Sequence, residues 1–498
     1  MLLSIFYFIV IFLGIVVAHE FGHYIFAKSF GVYVMEFCVG FGPKIFSIKG
    51  KETAYRLRAI PLGGYVRMAG DDPQIENVEG IPKERLLYSK KAWKRFLIVF
   101  AGPLFSIITG YLIMIFVSLA WGFPEARMDW IIPDSPAAVA GLQFGDRIKS
   151  INGHVILSPT EVSWFVKGQK KLDVLYVRNG RTLRTTLTPR EIGPQYFMVL
   201  KGTVPSNVRL SKIDGIPFDD KLKISNGSVL GFSNGATATL LGYQMLPRSR
   251  EMGIYMALFS NKVASADPSV GLKPNDTILS INGVKCNTSF NFQNALFVAN
   301  YAQNNVGSFV ILNENKVLES IPYHATRETK IEIERNGKKM SLLLDKKQFS
   351  ALLNSLTTYP AYGNWYPGAW EAIKYGVIRT NRIFTKMLIF LGEIFKTKNA
   401  LNQFVGPVGL VKMVGQASSE GMQVLWTLIA FITLNLGIIN LLPLPALDGG
   451  HLVFSVIEMI TGKRVNPEIE GYIHTIGFFL LMAFFVYITY LDVIRFGG

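Results

Sequence analysis

The chain has 498 residues, half of them hydrophobic, with 51 Lys and Arg against 35 Asp and Glu and a formal net charge of +16. That length accommodates several domains, membrane spans among them, but the long apolar stretches are few, which excludes a bundle of many helices. The positive charge is spread along the chain with no nucleic-acid motif beside it, so no nucleic acid is expected as a partner.

Four stretches are long enough to cross a hydrocarbon core of roughly 30 Å: 2–26, 96–123, 421–447 and 471–491. The first lacks a basic leader and a small-residue cleavage site, so it is expected to be a retained span rather than a signal peptide. Its uncharged run ends in His19-Glu20-Phe21-Gly22-His23. On a helix, positions i and i+4 share a face, so His19 and His23 can offer two imidazoles to one metal ion. Glu20 can then serve as general base toward a water at that metal. The bland alternative is a pair of buried structural histidines. Ionisable groups in a membrane helix are costly and usually functional, which favours the metal.

Residues 29–95 carry twelve Lys or Arg against seven Asp or Glu, with Lys90, Lys91, Lys94 and Arg95 just before the second span. The positive-inside rule puts this loop, and the site beside it, toward the cytoplasm; 125–420 is then extracytoplasmic. Within the loop, 31–70 reads as β-structure against the membrane. Gly40-Phe41-Gly42-Pro43 is expected as a turn, Tyr55-Arg56-Leu57-Arg58 as a strand, and 61–68, with Gly63, Gly64 and Tyr65, as a second strand after a glycine bend. Such an edge can receive an extended peptide by strand addition. A small structural sheet sealing the membrane face is the alternative.

The outer segment repeats itself. Gly141-Leu142-Gln143-Phe144-Gly145-Asp146 leading to Ile151-Asn152-Gly153 is echoed by Gly271-Leu272-Lys273-Pro274-Asn275-Asp276 leading to Ile281-Asn282-Gly283. An Asn-Gly hairpin turn follows each copy, Asn179-Gly180 and then Asn336-Gly337. The second hairpin comes later, which implies an insertion near 285–325; residues 218–262 have no place in the pattern. The first copy is assigned 125–195 and the second 196–350. Farther on, 370–396 mixes apolar residues with Lys374, Arg379, Arg382 and Lys386, and is expected as an amphipathic helix lying on the membrane or as a core helix of the soluble region. It falls in a membrane-surface region of 351–420.

The third span, 421–450, closes with Asn440-Leu441-Leu442-Pro443-Leu444-Pro445-Ala446-Leu447-Asp448-Gly449-Gly450. Asp448 is the first acid after an uncharged run and needs a partner at that depth; a metal held by His19 and His23 is the obvious one. Backbone freed by the prolines must be buried in protein or line a cavity. A cytoplasmic loop, 451–470, and the fourth span, 471–492, complete the reading. His451 is read as a surface residue or a partner of the metal ligands. Cys38 and Cys286, the only cysteines, are expected to stay unpaired.

HExxH in the first span and NxxPxPxLDGG in a late one resemble the site-two protease family of intramembrane zinc metalloproteases. The tandem GLxxGDxIxxING pattern is similar to PDZ domains and narrows the likeness to the bacterial regulator-of-sigma-E protease type. The resemblance implies a multi-span α-helical membrane protein with a membrane-associated β-element and tandem PDZ-like β-rich domains outside, in the bacterial inner membrane. It implies Zn2+ on His19, His23 and Asp448, and catalysis by Glu20. It also implies substrate contacts from Gly63, Gly64 and Tyr65, and from Asn435 and Asn440, which alternatively hold the ligand-bearing turn or hydrogen-bond between helices. It further implies transmembrane protein substrates, such as anti-sigma factors and remnant signal peptides. The PDZ-like copies either capture peptide ligands or exclude proteins with large outer domains. A non-catalytic membrane scaffold that binds partners through these copies is the rival. It predicts a broken metal site, and all four site residues are present. A metal transporter would need more polar spans.

Overall fold

The computed structural model describes residues 2–71, 80–192, 195–218, 224–246, 249–302, 304–313, 316–394 and 404–496. The chain divides into two compact units, 1–121 with 367–498, and 122–366. Parts of the expected loop (72–79), insertions (219–223, 247–248, 303 and 314–315) and amphipathic helix (395–396) lie outside the described residues.

Among the described residues of the first unit, four helices are long and apolar enough to cross a membrane: Ser4–Ser29, Ala92–Trp121, Met422–Asn440 and Pro467–Arg495. Helix Ala92–Trp121 is the hub, because small residues on it let neighbours approach closely. A Cβ on Gly110 would meet Leu434 Cγ at 2.6 Å, and one on Gly437 would meet the Pro103 carbonyl at 3.0 Å. The LDGG motif does not belong to the third span as expected. That helix stops at Asn440, before the prolines, and Asp448 opens a separate helix, Asp448–Thr461, where a loop was expected. An Arg95–Glu458 ion pair fastens this helix to the start of the hub.

The register puts a reversal at the expected turn, 40–43. Residues 36–39 pair parallel with 54–57 and 46–49 pair antiparallel with the same residues, so Val34–Lys49 reverses between its two halves, where Gly40 and Gly42 have positive φ. A second reversal follows where the Gly50 N–H donates to the Thr53 carbonyl, and a third lies within Ala54–Met68 at the expected glycine bend, because 64–68 pair antiparallel with 34–39. Helix Ala369–Ile394 runs antiparallel along the hub, with Gly376 against Ile115 and Ser118, and Met387 in a cluster with Ile107 and Leu434. Lengthwise packing on a spanning helix replaces the expected position flat on the membrane or in the soluble region.

The second unit is β-rich, and its two repeat copies match in register. Strand Arg147–Ile151 pairs with Leu172–Arg178, and Thr277–Ile281 pairs with Thr329–Arg335, each with a bulge at the same place, after Ile148 and after Ile278. Asn275 at φ 72° takes the left-handed position that Gly145 holds in the first copy, so the missing glycine is replaced by the residue type that best tolerates it. Asp146 accepts from Arg178 Nε at 2.8 Å and the Gln143 N–H at 2.8 Å; Asp276 accepts from Arg335 Nε at 2.7 Å and the Lys273 N–H at 2.8 Å. Both cysteines are free and buried.

The domain boundaries differ from the expectation. The first copy is completed by Ile254–Met256, which pairs with Met128–Ile131, and the second by Thr357–Pro360, which pairs with Phe259–Ser265. The two stretches without a place join each other. Strands from 195–246 and the hairpin 306–324 form one seven-stranded sheet. Alternate residues of its central strands enter different cores: Phe197, Val199, Phe309 and Ile311 join the second copy, while Met198, Leu200, Val310 and Leu312 join a core of the sheet's own.

Burial of Asp276 pushes its carboxyl up, but the Arg335 guanidinium and the Lys273 N–H outweigh this and hold it below the usual carboxylate range. Its stabilising effect is therefore present above the unfolded value, about 3.9, and fades as pH falls through the lower folded value. Asp276→Ala is expected to cost about 1.5–3 kcal/mol at neutral pH by removing the carboxylate that holds Arg335 and the Lys273 N–H. The check is thermal unfolding of the intact chain, read as protease susceptibility within 259–360. The gap from wild type should narrow in acid.

Candidate active site

The helix that carries HExxH runs unbroken from Leu2 to Ser29. One turn of it places His19 and His23 together, both buried, with their Nε2 atoms 3.3 Å apart. Asp448 arrives from the far end of the chain. Its Oδ2 lies 3.1 Å from His19 Nε2 and 3.5 Å from His23 Nε2.

The hub helix orients both rings. His23 Nδ1 donates to the Ile98 carbonyl at 2.9 Å; a carbonyl only accepts, so in the neutral ring His23 Nε2 carries the lone pair. His19 Nδ1 lies 3.0 Å from Ser106 Oγ, and a proton donated there leaves its Nε2 a lone pair as well. Asp448 Oδ2 has no hydrogen-bond partner among the described residues. With both rings neutral, three lone-pair atoms face one another and repel unless a cation lies between them. Their separations of 3.1, 3.3 and 3.5 Å match the edges of a tetrahedron with metal bonds of about 2.0–2.1 Å, the zinc geometry. The donor set fits zinc.

Glu20 is half-buried and interacts electrostatically with both histidines and with Asp448. The β-hairpin flanks it: a Cβ on Gly64 would stand 3.1 Å from Glu20 Cγ and 2.8 Å from Val16 Cγ1, so only glycine lets the strand lie this close. Gly63, at φ 100°, holds the bend beside the Phe41 ring. Tyr65 is turned elsewhere. Its hydroxyl donates to Glu36 at 3.1 Å and accepts from Arg58 at 2.9 Å, which makes it part of the hairpin's own network. Asn435 and Asn440 lie on helix Met422–Asn440, five positions apart and so on different faces. Among the described residues neither amide makes a hydrogen bond to the cluster.

Ser106, the Ile98 carbonyl and Gly102, which abuts the His23 ring, were not anticipated. A signal for two of them was present in Gly102, Ser106 and Gly110, small residues four apart in an apolar helix. Ser106→Ala is expected to weaken zinc about tenfold by releasing the His19 ring, as measured by chelator competition.

Comparison with known proteins decides the family. The pattern of Peptidase family M50 matches residues 7–484. The chain belongs to peptidase family M50. It is 35% identical to a Thermotoga maritima protein provisionally named a zinc metalloprotease, over 99% of each chain. Identity is 27% to zinc metalloprotease RasP of Geobacillus kaustophilus, over 99% of this chain and 98% of that one. It is 26% to the regulator of sigma-W protease RasP of Bacillus subtilis, over 98% and 97%. A solved PDZ domain protein of Parabacteroides distasonis matches 44% of this chain and 92% of that one at 12% identity, with a TM-score of 0.13, too slight a likeness to bear on the fold. This M50 member is a zinc metalloprotease, and its apolar helices together with its RasP-type bacterial relatives support a place in the bacterial inner membrane.

Proposed function

We propose that this protease cuts peptide bonds inside the transmembrane segments of single-span proteins, with zinc on His19, His23 and Asp448 and with Glu20 as the catalytic acid–base. The observation that carries the reading is the convergence of Asp448 on His19 and His23, which sit on a helix apolar enough to span a membrane. Zinc supplies Lewis acidity for the scissile carbonyl and the attacking water. Glu20 takes the water's proton and returns it to the leaving amine. Ser106 and the Ile98 carbonyl keep the imidazoles aimed.

The hairpin supplies the peptide's partner. A helix hides its amides in internal hydrogen bonds, and pairing with the strand at Gly63 and Gly64 offsets part of the cost of unwinding it. The basic loop 29–95 faces the cytoplasm, and the two repeat copies, PDZ-like, stand outside. They act as a size filter. In support, helix Ser289–Tyr301 of the second copy exposes only Gln293 and Asn300, which leaves little of it to line a peptide groove. Substrates are then spans already trimmed outside, such as anti-sigma factors and remnant signal peptides.

The test is a tagged single-span protein reconstituted with the enzyme in vesicles, with the product mapped by mass spectrometry. A cut within the span, abolished by a zinc chelator and restored by zinc, is expected. Cuts confined to exposed loops would overturn the intramembrane reading.

A further inference from the structure

Asp448 is delivered by a strained turn, and something must hold that turn. The chain leaves helix Met422–Asn440 and passes Pro443 and Pro445. Ala446 then takes φ 68°, a left-handed conformation that a residue with a Cβ rarely adopts. Residues held in such regions persist where their surroundings over-determine them. Two residues later comes the ligand.

The surroundings are supplied by the last helix, Pro467–Phe496. His474 and Gly477, three positions apart on one face, receive the turn. The Ala446 N–H donates to His474 Nδ1 at 2.9 Å. Gly477 has no Cβ, and Pro445 fills the space one would need, its carbonyl oxygen 3.0 Å from that point. Gly450 is equally constrained, its absent Cβ lying 3.0 Å from His474 Cε1. His451 stacks on His474 with ring centroids 3.8 Å apart and planes within 10°, while its own Nδ1 lies 3.3 Å from Glu470.

His451, Glu470 and His474 have ligand atoms close enough for a second metal ion. Two features argue against one. Imidazole lone pairs lie in the ring plane, and parallel stacked rings cannot both aim at one ion between them. Accepting the Ala446 N–H at Nδ1 also puts the proton of neutral His474 on Nε2, which leaves no lone pair for a metal.

We infer that His474 is a positioning residue for the metal centre: by accepting the Ala446 N–H it fixes the left-handed turn that presents Asp448, with His451 stacked on it as a brace. The inference rests on Asp448 being the third zinc ligand, and it ties the zinc site to a helix that contributes no ligand of its own.

The experiment compares three variants of the full chain in detergent: Asp448→Ala, His474→Leu and His474→Asn. Zinc affinity is read by chelator competition, and kcat and KM by cleavage of a single-span substrate. An Asn side-chain oxygen reaches roughly where Nδ1 lies; a Leu side chain fills the space without an acceptor. His474→Leu is expected to weaken zinc at least tenfold and lower kcat with little change in KM, and His474→Asn to recover most of both. If the Leu variant does not accumulate, His474→Ala, which adds no bulk, takes its place. Wild-type zinc affinity in the Leu or Ala variant would overturn the inference, as would an Asn variant as weak as Leu, or a loss of cleavage with zinc affinity intact. Asp448→Ala separates the levels: if it keeps wild-type zinc affinity, the assignment of the third ligand has failed, and the inference with it.

Discussion

Glu20→Gln is expected to lower cleavage about a thousandfold while leaving bound zinc unchanged, the scale of losing a positioned acid–base group. The amide keeps the shape of the side chain beside Gly64, so the hairpin need not move. It cannot take a proton from water at neutral pH. Glu20 is not among the three converging ligand residues, so its replacement leaves His19, His23 and Asp448 in place. The measurement pairs initial cleavage rates in vesicles with metal content of the same preparation. Zinc lost together with activity would assign Glu20 to the ligand set, and cleavage retained would remove it from the chemistry.

The second large effect is steric. Gly102 faces His23 across the contact between the first two spans, and a Cβ there would overlap the imidazole ring. The helices cannot part to make room, because Gly22 on the first already packs against the Ala101 carbonyl of the second. Gly102→Val should therefore push His23 off its bond to Ile98. We expect about a hundredfold loss of zinc affinity, the upper end for losing an orienting contact, and about 1–3 kcal/mol of overpacking. Gly14 is the control: it lies on the same helix as His23 and has nothing within 4 Å of its Cβ position, so Gly14→Ala should leave zinc binding as it was. Chelator competition on both variants is the check. Equal affinities would show that the ring is not held from that side.

How much of this was legible depended on whether the signal was local. His19 and His23 declare themselves by spacing, because a helix converts four positions into one face. Asp448 was legible as an isolated acid at the end of an apolar run, although its place at the start of a new helix was not; Leu-Pro-Leu-Pro marks a break without announcing the helix beyond it. Gly40 and Gly42 were legible as a turn because glycine takes positive φ without steric cost, and the register reverses there. Ser106 escaped notice because a lone serine in an apolar helix has many uses, and its partner is 87 residues away. The strands Gln195–Lys201 and Val306–Asn313 showed no alternation because both of their faces are buried. Their pairing joins parts of the chain that no local pattern connects.

Those two strands have a consequence for how the outer unit opens. Side chains leaving one face hold the second repeat copy together, and those leaving the other hold the adjoining sheet. Neither layer can loosen without stripping the backbone bonds they share. Amide exchange should therefore show both reaching solvent in a single step, with the slowest amides of the two strands shared by both. The insertion is then no appendage that could be trimmed from a loop. It is half of one cooperative block, and shortening it would unravel the repeat into which it is spliced.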